Sequence, residues 1–159
     1  MQLTAIGWLL DNGYVPYVDL ALWGPYAGRI FRQLKMRGLV MTGDGEFQHV
    51  EIGGPPTFAI WEANWEVAIA GYVSHKAAPL GTLMRYRAKI ADLHRRCGEG
   101  AWALIYQADL RMRSEHFERL RRRGEEERTA ALAAGGTNLF DPSAPWGWVF
   151  DQACADFEF

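Results

Sequence analysis

Among the four histidines and two cysteines of this chain, one pair comes close together, His94 and Cys97, one helical turn apart. A structural zinc site needs four ligands, usually as two close pairs, and His49, His75, His116 and Cys154 all lie far off in sequence. No metal is expected, and the pair reads as partly buried polar side chains. As a nucleophile, Cys97 would need a third residue to orient the imidazole. Ser74 and His75 are neighbours along the chain, which does not aim a hydroxyl at a ring, and no G-x-S-x-G elbow is present. Gly43-Asp-Gly and Gly53-Gly-Pro-Pro lack the lysine of a phosphate loop and the spacing of a dinucleotide fingerprint, so they read as turns. Glu62 and Glu66, a turn apart, have the residue type for acid–base work or metal binding, but they flank Trp61 and Trp65 and read as the solvated edge of a helix. No catalytic residue, cofactor or small-molecule substrate follows from this inventory. An enzyme with an unrecognised site is the third-ranked reading.

Charge gives a clearer signal. The net charge of −2 hides an asymmetry: residues 1–80 carry five Lys/Arg against seven Asp/Glu, residues 81–128 twelve against eight, and residues 129–159 none against four. A basic middle and an acidic tail imply either an anionic partner for the middle or an intramolecular pairing of middle with tail. The sharpest basic cluster is Arg119-Leu-Arg-Arg-Arg-Gly. Arg119, Arg121, Arg122 and Arg123, with Arg111 and Arg113, are the candidate nucleic-acid contacts, because several arginines on one helix can neutralise successive phosphates. Glu125 to Glu127 follow at once, and Asp109/Arg113, Glu115/Arg119 and Glu118/Arg122 are acid-before-base pairs at i,i+4. The competing reading is a solvated charged helix. Asp109 stands apart: it falls near the line of Trp102, Ile105, Met112 and His116, and a buried carboxylate needs a charged or backbone partner. A structural ion pair with Arg113, or with an arginine of the preceding helix, is expected.

The elements that would position these residues are mostly helices. Leu3 to Leu10 is a short apolar segment ended by Asp11-Asn12-Gly13. Leu22, Trp23, Tyr26, Ile30, Phe31 and Leu34 recur at helical spacing after Pro25. The one β signal is a hairpin at about 39–52, two short runs joined by Gly43-Asp44-Gly45. Thr57 can cap a helix over 58–73, whose Phe58, Trp61, Trp65, Ala68, Ile69 and Tyr72 form the strongest apolar stripe. Two further helices are expected, at 80–96 with Gly98 as its stop and at 101–131. Residues 132–144 read as a linker, and a last helix starts near Pro145, with Ser143 as cap and Trp146, Val149, Phe150 and Ala153 facing inward.

The expectation is thus a mainly α chain: a single helical domain of about five helices with one β-hairpin, spanning 1–131, then the linker and a C-terminal helix over 145–159. Phe58, Trp61, Trp65, Trp102 and Tyr106 are its core anchors, aromatic side chains that each remove a large area from water. No stretch reaches the roughly 18 uninterrupted apolar residues of a membrane span, since Glu62, Asn64 and Glu66 break the longest. Two separated cysteines without a CxxC, and no basic-then-apolar leader, give an intracellular expectation, cytoplasmic or nuclear. The chain closes on apolar Phe159, as a piece of a longer protein would.

Phe58-Ala-Ile-Trp-Glu-Ala-Asn-Trp-Glu-Val-Ala, Trp102-Ala-Leu-Ile-Tyr-Gln-Ala-Asp-Leu-Arg-Met-Arg-Ser-Glu and Pro145-Trp-Gly-Trp-Val-Phe-Asp-Gln-Ala occur in that order. In these segments the chain resembles gag-like regions of retroelement open reading frames from unicellular algae, over about residues 20–159. The resemblance implies a helical segment that precedes a Cys/His knuckle and, further on, a reverse transcriptase, and so a structural, assembly or RNA-associated role. This chain contains no knuckle, so zinc and a knuckle-type RNA contact do not carry over. The leading expectation is a non-catalytic gag-like scaffold, with RNA or a second copy as partner and with Trp23 or Trp146 as an aromatic contact. The runner-up is a protein–protein adaptor with no nucleic-acid role.

Overall fold

A computed structural model describes residues 2–17, 36–41, 47–52 and 57–156. The expected helix over Leu22 to Leu34 with Trp23, the Gly43-Asp44-Gly45 turn and the Phe159 end all lie outside the described residues.

The fold is mainly α. Helix α1 spans Gln2–Asp11, α2 Phe58–Ser74, α3 Leu80–Cys97, α4 Trp102–Arg111, α5 Phe117–Ala133 and α6 Trp146–Asp156, with a 3₁₀ turn at Glu99–Ala101 and a π-helical turn at Met112–His116. Strands β1 (Met36–Met41) and β2 (Phe47–Ile52) pair antiparallel, Met36 opposite Ile52 and Met41 opposite Phe47. None of the described helices is long and apolar enough to cross a membrane.

Local chemistry accounts for the helix ends. Thr57 is extended and its hydroxyl accepts the Ile60 N–H at 3.4 Å, satisfying one of the orphan donors of α2. Gly98, at φ 79°, stops α3 in a conformation that costs a side-chain-bearing residue, while its N–H returns to the His94 carbonyl. His94, Arg95 and Arg96 in the last turn suit the negative end of the helix dipole.

The core is an aromatic stack. Trp61 and Trp65 of α2 lie parallel with centroids 5.5 Å apart, and Phe150 of α6 makes T-shaped contacts with Trp65, Tyr72, Tyr86 and Phe117. Helix α6 packs on both α3 and α5, and α3 also on α2 and α4. Trp61, Trp65, Trp102 and Tyr106 are buried, whereas Phe58 sits at the edge of this cluster.

The sequence suggests one straight helix over 101–131, but the chain starts in a 3₁₀ turn and widens at Met112–His116. Each extra residue in a π turn rotates everything after it relative to an unbroken α-helix. The Ser114 hydroxyl donates to the Leu110 carbonyl at 2.7 Å within this wide turn.

Residues 132–144, expected as a linker, are anchored rather than slack. Phe140 is 2% exposed, meets Trp148 edge-on at 5.3 Å, and lies over Gly124, where a Cβ would come within 2.3 Å of its ring. Asn138 accepts the Phe140 N–H, and Asp141 accepts both the N–H and the hydroxyl of Ser143. Ser143 therefore spends its hydroxyl inside the loop and not on the N-terminus of α6. Phe140→Ala should cost about 3–5 kcal/mol in a denaturant titration by emptying this site. Gly124→Ala should destabilise the wild type by about 1–3 kcal/mol through overpacking. In the Phe140→Ala background the same change should turn neutral or favourable, because only its better helix propensity remains.

Candidate functional site

Three helices converge on one carboxylate. Asp109 of α4 is 0% exposed; its Oδ1 accepts from the Tyr86 hydroxyl (2.7 Å) and Arg113 Nε (2.9 Å), and its Oδ2 from Trp61 Nε1 (3.0 Å) and Arg113 Nη2 (2.7 Å). Trp61 comes from α2 and Tyr86 from α3, while Arg113 stands in the π turn. A carboxylate offers about four acceptor positions, and here all four are occupied.

Arg113 is itself 1% exposed, with its Cζ 5.3 Å from the centre of the Tyr17 ring and 6.0 Å from that of Trp65. Burial opposes its charge, but Asp109's charge and hydrogen bonds outweigh this and hold the guanidinium well above its ordinary value. Burial, reinforced by Asp109, pushes the Tyr86 hydroxyl well up, and burial lifts Tyr72 to about 12. A saturated, neutralised cluster of this kind has no lone pair free to accept a substrate proton. Its work is structural.

The arginines proposed for nucleic acid divide into two groups. Arg113 drops out, because it is buried against Asp109. Arg121 bonds Glu118 at 2.7 Å and also Glu125, and Arg123 bonds Asp156 at 3.0 Å and Gln152 at 2.8 Å while lying over Trp148. Arg123 therefore ties α5 to α6, Arg121 is paired within α5, and both offer little to a phosphate. Arg111, Arg119 and Arg122 face outward; Arg111 reaches Glu115 at 3.5 Å and Arg122 reaches Glu118 at 3.3 Å. Arg123–Asp156 and Arg85–Asp151, at 3.0 and 2.5 Å, pair the basic middle with the acidic tail, one of the two arrangements the charge asymmetry allowed.

The remaining chemical candidates are dispersed. Glu62 and Glu66 both reach Arg87 of α3, at 2.8 and 3.5 Å, so they bridge helices instead of lying free at a helix edge. His94 stacks on Phe58 at 4.6 Å and meets Glu99 at 2.6 Å, and Cys97 is exposed. The Ser74 hydroxyl donates to the Gly71 carbonyl and not to His75. Among the described residues, no three His, Cys, Asp or Glu gather as a metal would require. Trp146, considered as a contact residue, is buried and faces Phe117.

What sequence reading misses is a groove of about 580 Å³ between the α2–α3 corner and the start of α6. Ala77, Ala78 and Trp148 line it, and Val73, Leu80 and Leu139 stand on it at 41%, 54% and 94% exposure. The available signal was Gly147, where a Cβ would lie 2.9 Å from Pro79 Cδ; the missing side chain lets α6 approach the corner.

Asp109→Asn leaves the Arg113 charge buried without its counter-ion and should cost about 3–5 kcal/mol in a urea titration. His116 supplies a pH dependence. Burial, then Arg119 and Arg111, hold it below its ordinary 6.5. The unfolded chain then binds a proton at higher pH than the folded one, so stability is lost as pH falls through 6.5 towards the depressed folded value. Melting temperatures across pH 5–8 should show this fall in the wild type and a shallower one in His116→Gln.

Comparison with protein-family models, curated proteins and solved structures finds no match.

Proposed function

We propose that this chain is a non-catalytic structural or assembly module of the gag-like kind its motifs resemble, and that it meets a second copy of itself through the groove at the α2–α3 corner. The observation that carries this reading is the placement of Val73, Leu80 and Leu139, three exposed large apolar side chains on a single groove. Exposed apolar surface gathered in one place marks a contact site far more than the same residues scattered singly. In support, Asp109, Glu62, Glu66 and the His94–Glu99 pair are engaged in contacts that tie elements together.

RNA association is the second reading, favoured by the outward Arg111, Arg119 and Arg122. It is a weaker electrostatic surface than six arginines would give, because Arg113, Arg121 and Arg123 are committed internally.

Light scattering over a concentration series tests the assembly reading. The mass should rise with concentration for the wild type and stay at that of a monomer for Leu80→Glu/Leu139→Asp. For RNA, reversing charge at Arg111, Arg119 and Arg122 should flatten the log–log salt dependence by about 0.7 per lost phosphate contact. A wild type that is monomeric throughout and has no salt-dependent RNA affinity would sink both readings and leave the adaptor.

A further inference from the structure

Among the described residues, the large apolar side chain most open to solvent sits on the loop between α5 and α6, where Leu139 is 94% exposed. One exposed leucine is ordinary on a protein surface. The way its neighbours are fixed is not. Phe140 is buried, and its N–H donates to Asn138 Oδ1 at 2.6 Å, so the residues on either side of Leu139 are tied to each other. Asp141 Oδ1 accepts the N–H and the hydroxyl of Ser143 at 2.9 and 2.7 Å. The loop thus presents Leu139 in a set position, and burying it against another surface costs little further ordering.

Leu139 also stands on the rim of the groove at the α2–α3 corner, beside Ala77, Ala78 and Trp148. With a volume of about 580 Å³ the groove takes more than one side chain, while the bulk of Leu139 remains in solvent. A projecting side chain next to its own groove suits a two-fold pairing, in which each copy fills the other's groove and every contact is made twice by the same residues.

The charges on the groove fit that pairing. Lys76 at the α2–α3 corner and Asp141, two residues past Leu139, both line it, and neither forms an ion pair among the described residues. Hydrogen bonds from Ser143 hold the Asp141 carboxyl below the usual carboxylate range, so it is an anion at neutral pH. If Leu139 crosses to a second copy, Asp141 crosses with it into a groove that offers a lysine.

We infer that two copies of this chain pair about a two-fold axis by exchanging the Leu139 loop: Leu139 of each enters the groove of the other, and Asp141 faces the other's Lys76. This rests on the assembly reading above and names the contact that makes it.

Sedimentation equilibrium of the full chain, with charge swapped across the contact, tests the exchange. Lys76→Glu places two like-charged pairs across the axis and should weaken self-association about tenfold, and Asp141→Lys should do the same. An equimolar mixture of these two variants should associate within about threefold of the wild type, because each mixed dimer regains two opposite-charged pairs. A loop disturbed by either substitution would not produce that rescue. Leu139→Ala should weaken self-association about tenfold by removing the inserted side chain. If the mixture associates no better than its components, or Leu139→Ala associates as the wild type does, the exchange is wrong while assembly through another contact stands. A wild type that is monomeric at every concentration overturns both.

Discussion

A carboxylate taken out of water must be given back its hydrogen bonds and a counter-charge, and most of this protein's architecture follows from doing that at Asp109. The four donors come from an indole on α2, a phenol on α3 and a guanidinium one turn further along its own helix. Each fixes a distance and a direction, so the relative height and rotation of these helices are set by polar geometry as well as by apolar packing. Apolar side chains of similar volume tolerate small slips; a bidentate guanidinium–carboxylate pair does not. Such a cluster adds little net stability compared with a well-packed apolar one, and its contribution here is to define which packing is correct.

The π turn belongs to the same constraint. In an unbroken α-helix Arg113 would lie on the Asp109 face by i,i+4 spacing alone, but its guanidinium must also reach a site closed by Trp65 and Tyr17. Widening the helix at Met112–His116 accommodates that, and it resets the phase of α5 so that Phe117 and Leu120 turn inward. The charged residues that follow are then distributed by what they can reach. Arg121 finds acids on its own helix, and Arg123 finds the end of α6. An arginine-rich sequence thus becomes a surface of mostly compensated charge, with the apolar groove left as its more distinctive feature.

The sequence was most legible where periodicity and caps act locally. The stripe of Trp61, Trp65, Ala68 and Tyr72, the Thr57 cap, the Gly98 stop and the inward face of Trp146, Val149, Phe150 and Ala153 follow from spacing and from backbone preferences that need no distant partner. Asp109 was legible as a carboxylate on an apolar line, and Arg113 as its neighbour one turn on. Trp61 and Tyr86 as the other two donors were not, because 48 and 23 residues separate them from Asp109 and nothing in a one-dimensional pattern ties their polar ends to it.

The residues by themselves determined that the chain is mainly helical, that its aromatics are buried in stripes, and that its charge is uneven. Only the tertiary structure decided which arginines are spent. Arg119 to Arg123 read alike in the sequence, yet Arg123 is held by the acidic tail and Arg119 faces outward, a difference that depends on where α6 lands. Packing likewise decided that Phe140, in an apparently slack segment, is an anchor, and that Gly147 meets Pro79 closely where α6 lands on the α2–α3 corner. These outcomes depend on surfaces brought together from distant parts of the chain, whereas helix periodicity is encoded within a few residues.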